Sequence, residues 1–175
     1  MTMPARLNAH LDQAHVAYIP IHHIPARSSQ YAASLLHTPG KQVAKTVAIR
    51  AGKQILLAVL PASYHVNLDK LSTLVGGPVK LIDEQECYRL FPDCQPGSIP
   101  PFGELYGFPV YLDAALAQAS EIIFSAGTLS DAIRMGNTDF VYVAKPRICS
   151  FADEGEVVSK DLPEDFVTRD AGGGK

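Results

Sequence analysis

A lysine set among small and β-branched apolar residues, Val43-Ala44-Lys45-Thr46-Val47-Ala48-Ile49, is the first group in this chain that could do chemistry. The run reads as a strand, and alternation puts Val43, Lys45, Val47 and Ile49 on one face. If that face is turned inward, the Lys45 amine lies on the core side or at the lip of a sheet. A lone ammonium there must reach water or meet an anion. The bland explanation is a gatekeeper on an exposed edge strand, where lysine blunts edge-to-edge pairing. The pattern alone leaves both open. Thr46 alternates to the other side, outward on this reading.

The second group is Gly97-Ser98-Ile99-Pro100-Pro101-Phe102-Gly103. Proline removes backbone donors and fixes φ, whereas glycine admits positive φ and lets a ligand approach the main chain. The segment is therefore expected to be a stiff loop with the Gly97, Ser98 and Ile99 N–H groups free. Such a loop could cradle an anion or a carbonyl oxygen that is gaining charge. It could equally be a rigid connector without chemistry.

The remaining reactive residues offer less. Six histidines, at 10, 15, 22, 23, 37 and 65, form no metal-ligand spacing. His37 precedes a Thr-Pro-Gly break, where a helix C-terminus favours a cation. Cys94 lies beside the proline loop with nothing in sequence to activate it, and Asp131 and Asp139 read first as capping residues. Cys87, Cys94 and Cys149 are odd in number and contain no C-x-x-C, which argues against a disulfide framework or a thiolate zinc site. No phosphate-loop, dinucleotide or nucleophile-elbow signature occurs.

The elements that must position these groups form a mixed pattern. Helices are expected over residues 4–16, 28–36 (capped by Ser28 or Ser29), 68–75 (capped by Asn67) and 84–90 (opened by the pair Asp83 and Glu86). A short helical turn follows Asp113, and a last short helix is capped by Asn137 or Thr138. Strands are expected over 18–23, 43–50, 54–60, 79–82, 109–112, 121–125 and 132–135, the second and third joined in a hairpin through Ala51-Gly52-Lys53. That hairpin excludes a purely alternating βαβ chain. The fold class is α+β: a mixed, mostly antiparallel sheet or a small barrel, with packed helices.

With 175 residues, 47% hydrophobic and 19% charged, the chain can bury one substantial core. Its net charge of −3 excludes the global basic signature of a duplex-binding protein. The acidity is concentrated at the end. Seven acids and three bases lie from Ala152 onward, leaving eleven acids and twelve bases in the body. We expect a domain over 1–152 and an acidic, disordered tail over 153–175. No apolar run is long enough to span a membrane and no signal core is visible, so the expectation is a soluble cytoplasmic protein.

Three blocks in order, Val-Ala-Lys-Thr-Val-Ala-Ile at 43–49, Gly-Ser-Ile-Pro-Pro-Phe-Gly at 97–103 and Phe-Ser-Ala-Gly at 124–127, resemble the YbaK family of aminoacyl-tRNA editing domains. The same fold occurs as the editing insertion of bacterial prolyl-tRNA synthetases and as the free-standing ProXp proteins. The resemblance covers roughly residues 5–150. It implies hydrolysis of the ester joining a wrong amino acid to the 3′ end of a tRNA, with no cofactor, no metal and no covalent nucleophile. Lys45 falls on the family's essential lysine. Gly97 and Pro101 fall on the ends of its G-x-x-x-P loop, Gly103 on the glycine after it, and Gly127 on the glycine after the strand lining the pocket. The catalytic pair implied is Lys45 and Gly97, with Thr46, Ser98, Ile99, Pro100, Pro101, Gly103, Gly127 and Asp131 binding substrate. Two positions depart from the family. An ungapped reading puts Ala132 where an acid is common, with Asp131 one place earlier, and the usual aromatic of the second helix is Gln30 or Tyr31. The edited amino acid is expected to be small, such as Ala, Ser, Thr or Cys. Partners implied are the aminoacyl-tRNA 3′ end and a recruiting synthetase. The competing readings are a non-catalytic nucleotide or small-ligand module of the same fold, and an interaction protein acting through its acidic tail.

Overall fold

The computed structural model describes residues 2–155. Helix α1 (Ala5–Gln13) buries Leu7 and Leu11, and strand β1 (Tyr18–His22) follows. Helix α2 (Ser29–Leu35) starts where Ser28 accepts a hydrogen bond from the Tyr31 N–H. The hairpin of β2 (Ala44–Ala51) and β3 (Gln54–Pro61) turns through Gly52 and Lys53. Strand β4 (Tyr64–Val66), helix α3 (Leu68–Val75, capped by Asn67), strand β5 (Val79–Leu81) and helix α4 (Glu84–Leu90, capped by Asp83) complete the first half.

After the proline loop and a 3-10 turn at Gly103–Tyr106 come β6 (Val110–Asp113), the one-turn helix α5 (Ala114–Ala117), β7 (Glu121–Ser125) and β8 (Asp131–Gly136). Helix α6 (Asn137–Ala144), β9 (Arg147–Cys149) and β10 (Ala152–Glu154) end the described chain.

The strands form mixed, mostly antiparallel sheets and do not close into a barrel. One sheet runs β5-β2-β3-β6-β9, with β3, β6 and β9 parallel; a second runs β1-β8-β7, and β10 pairs with β4. A parallel bridge from Val43 to Ile123 joins the two larger sheets. So β2 is interior: β3 lies along one side, while β5 and then β7 flank the other. The edge-strand explanation for Lys45 therefore does not hold.

The cores explain why the loop is fixed. Phe102, fully buried, packs edge-on against Phe124 and Phe140 at centroid distances of 5.3 and 5.6 Å. Burying a phenylalanine contributes about 1.5–3 kcal/mol, so the residue after Pro101 pins the loop to the main core. A second core gathers Ile49, Leu60, Leu71 and Phe151, and a third joins Ala33 of α2 to Val43, Ile123 and Ala132.

Two expectations need correction. Helix α6 is not capped by Asn137 or Thr138; Gly136 stands at its start, and the buried Asn137 amide reaches the carbonyls of Leu116, Ala117 and Ala119. The boundary at 152 cuts through β10, where Asp153 accepts from Asn67 and Lys70 and the Gly155 N–H donates to the Ser63 carbonyl. The rest of the expected tail, 156–175, lies outside the described residues.

Candidate active site

Strand β2 carries Lys45 directly opposite Leu60, and Thr46 opposite Val59. Val43, Val47 and Ile49 pack toward the second and third cores, whereas Ala44 and Ala48 belong to the main core. Alternation thus sets Lys45 on the face that α2 covers. Thr46 lies on the face of the main core, not outward. Continuing the parallel register from Val43 and Ile123 puts Lys45 level with Ser125, two residues short of Gly127. Lys45 is half-buried, and among the described residues no carboxylate lies within ion-pair distance of it. Burial without a partner pulls its pKa below the usual lysine value.

Gly127 ties this strand to the proline loop. Its N–H donates to the Ser98 carbonyl at 2.9 Å, and its own carbonyl accepts from the Gln95 N–H at 2.8 Å. Gly127 has φ +89°, and a side chain there would collide with the Pro4 ring, so glycine is required twice over. Gln95 completes the frame. Its side-chain oxygen accepts from the Leu129 N–H at 2.7 Å, and its carbonyl accepts both the Ser98 N–H and the Ser98 hydroxyl.

The loop's donors are only partly free. The Ser98 N–H is spent on Gln95, against expectation, and Ser98 is buried. The N–H groups of Gly97 and Ile99 have no acceptor among the described residues. Gly97 sits at φ +79° with open space where a Cβ would stand; its nearest neighbour would be the Arg27 carbonyl at 3.8 Å. Pro100 and Pro101 are buried and carry the chain inward to Phe102. Gly103 opens the 3-10 turn, where a side chain would run into the Phe108 carbonyl.

Asp131 caps no helix. It opens β8 opposite His22 and accepts from the Thr128 hydroxyl at 2.5 Å, with His22 Nδ1 at 2.9 Å. Burial raises its pKa, but the hydrogen bonds from His22 and Thr128 outweigh that, and the carboxyl titrates below the usual aspartate range. The same Thr128 oxygen accepts the Ser130 and Asp131 N–H groups, which closes the turn after Gly127. Cys94 is a protonated thiol. Burial pushes its pKa to about 11, and its sulfur lies 3.2 Å from the Tyr106 hydroxyl, so it cannot serve as a nucleophile near neutrality.

The sites read from sequence thus divide. Gly97, Ser98, Gly127 and Asp131 are joined through backbone and turn contacts, Lys45 stands on the adjacent strand, and Thr46 faces away from it. The widest cleft, about 650 Å³, takes in Gly97 but not Lys45. Sequence reasoning missed Gln95, Thr128 and His22 as framing residues. A long amide among prolines, which donate nothing, was the available signal for Gln95. Nothing local marks a partner 109 residues away such as His22 for Asp131.

Comparison with known proteins comes to the same region. The model of a family described as the aminoacyl-tRNA editing domain matches residues 23–142. The Multifunctional Ser/Thr-tRNA deacylase ProXp-y of Escherichia coli (strain K12) is 30% identical over 100 residues. The match covers 56% of this chain and spans 59% of the length of that curated relative. Among solved structures, one described as a candidate trans-editing enzyme for prolyl tRNA synthetase superposes with a TM-score of 0.74 at 21% identity, over 85% of this chain and 95% of that one. A hypothetical protein superposes with a TM-score of 0.77 at 16% identity, over 85% and 99%. At these identities the superpositions speak to fold alone.

Proposed function

Because this chain belongs to the family of aminoacyl-tRNA editing domains, we propose that it is a trans-editing deacylase, which hydrolyses the ester between a small, wrongly attached amino acid and the 3′ end of a tRNA. The observation that carries this is a half-buried ammonium without an ion-pair partner, Lys45, on the strand next to the one that delivers Gly127 to the loop with its unengaged Gly97 and Ile99 donors. An aminoacyl ester is already activated, so placement and charge stabilisation suffice. Lys45 holds the phosphate or ribose of the terminal adenosine. The Gly97 and Ile99 N–H groups receive the carbonyl oxygen as it becomes an oxyanion, each such donor contributing a few kcal/mol, about 2.7–4, in known cases. Water attacks the carbonyl carbon, helped by the neighbouring ribose hydroxyl of the substrate. The C–O bond to the ribose breaks, releasing the free amino acid and the tRNA.

The relative's name puts serine and threonine esters first among candidates, with alanine and cysteine beside them. Selection against a larger cognate amino acid is steric, and a pocket that discriminates single methylenes yields only about 10–200-fold, which is the gap that editing closes. A synthetase partner and a cytoplasmic location belong to the same proposal. It is supported by the family match and by the absence of any described helix long and apolar enough to cross a membrane. Purified protein should deacylate at least one of Ser-, Thr-, Ala- and Cys-tRNA above the spontaneous rate. A chain that binds nucleotides but hydrolyses none of them would be the non-catalytic module instead.

A further inference from the structure

The widest cleft opens on the far side of Gly97 from the loop's interior, between α4 and the turn preceding α2. Its walls are Arg27, Ile82, Glu84, Tyr88, Gly97 and Leu129, and at about 650 Å³ it falls within the usual range for a ligand-sized site, about 300–1,000 Å³. Its rim is rigid. The Ala26 N–H donates to the Leu129 carbonyl, the Leu129 N–H to the Gln95 side chain, and Gly97 stands against the Arg27 carbonyl. The frame that fixes the candidate oxyanion donors therefore also fixes one wall of the cleft.

Lys45 does not line this cleft, so a second unit of the same substrate is what it suits. Resting on the editing reading, we propose that it takes the nucleotide preceding the terminal adenosine, a cytidine in every tRNA 3′ end. A polymer whose last unit is held at Gly97 must lay the preceding unit in the adjoining space. The chemistry fits that occupant. Tyr88 is 52% exposed, an unusual state for a ring that size, and offers a stacking face. Ile82 and Leu129 supply apolar contact. Among the described residues no carboxylate pairs with Arg27, which leaves its guanidinium for a phosphate. Glu84 accepts from the exocyclic amine of cytosine, a pairing that carboxylates make with that base. One cation against one carboxylate suits a single nucleotide unit rather than a polyphosphate.

The test compares two substrates of one wild-type protein: the mischarged tRNA that it deacylates fastest, and the same amino acid esterified to free adenosine, which lacks the preceding nucleotide. Tyr88→Ala should lower the ratio of kcat/KM for tRNA to kcat/KM for the adenosine ester by about tenfold, chiefly through KM, and Tyr88→Phe should restore it. Arg27→Ala should move the ratio in the same direction. A ratio unchanged by Tyr88→Ala, or equal losses on both substrates, overturns the assignment of the cleft and leaves the deacylase reading standing. A wild-type chain inert toward both substrates overturns both.

Discussion

Lys45 occupies a position that stability alone does not favour. Burial lowers its pKa, and the described residues offer it no ion-pair partner. A folded-state pKa below the unfolded one means that the unfolded chain binds more protons between the lowered value and the ordinary lysine value near 10.5. Over that alkaline window stability contributed at this position rises with pH; below it, the cost of the buried charge is fully present. Lys45→Met should therefore hold or raise Tm near neutrality and flatten the alkaline rise, while deacylation is lost. Wild-type activity should fall on the alkaline side earlier than an ordinary lysine would dictate, because the anion is held only by the protonated form. Thermal melts and rate profiles against pH check both. Gly97→Ala is a different kind of change. With open space around the site but φ at +79°, the cost is conformational, about 1–2 kcal/mol, and we expect a drop in kcat with a shift in Tm of only a few degrees. The lysine was legible because a charge in an apolar strand breaks the pattern. The engagement of the Ser98 N–H was not, since it depends on where the Gln95 carbonyl turns.

At the scale of elements, the loop works because it is held at both ends. Phe102 anchors it in the main core, and Gly127 and Gln95 clamp its start. Gly127→Ala combines strained φ with collision against Pro4 and should destabilise by roughly 3 kcal/mol, measurable by denaturant unfolding. Gln95→Ala leaves the Leu129 N–H without its acceptor and should cost about 1–3 kcal/mol, with a fall in kcat larger than the change in KM. Periodicity and caps marked most elements: Ser28, Asn67 and Asp83 each accept the hydrogen bond their position suggested. The strands at 64–66, 147–149 and 152–154 were missed because three residues carry no readable period. Asn137 was misjudged because a residue type that caps helices also bridges carbonyls when a neighbouring loop presents them.

For the whole molecule, the hairpin at 52–53 correctly excluded an alternating fold, but no local signal tells an open set of sheets from a small barrel. Closure depends on the single bridge between Val43 and Ile123 and on how far pairing continues beyond it. The end of the body was placed too early, because an acidic stretch looks solvated until its partners, Asn67 and Lys70, are known. Ending the chain after Gly155 should leave deacylation intact. Ending it after Phe151 removes β10 and the Ala152 N–H bond to Asp113, and should lower Tm by several degrees.

The most direct measurement is single-turnover hydrolysis of Ser-, Thr-, Ala- and Cys-tRNA by the wild-type protein and by Lys45→Ala, with folding of both verified by circular dichroism. We expect rapid release of at least one amino acid by the wild type and a loss of 100-fold or more, on the order of 3 kcal/mol, in the folded variant. Equal rates for the two proteins, or no release by either above the spontaneous rate, would contradict the central claim.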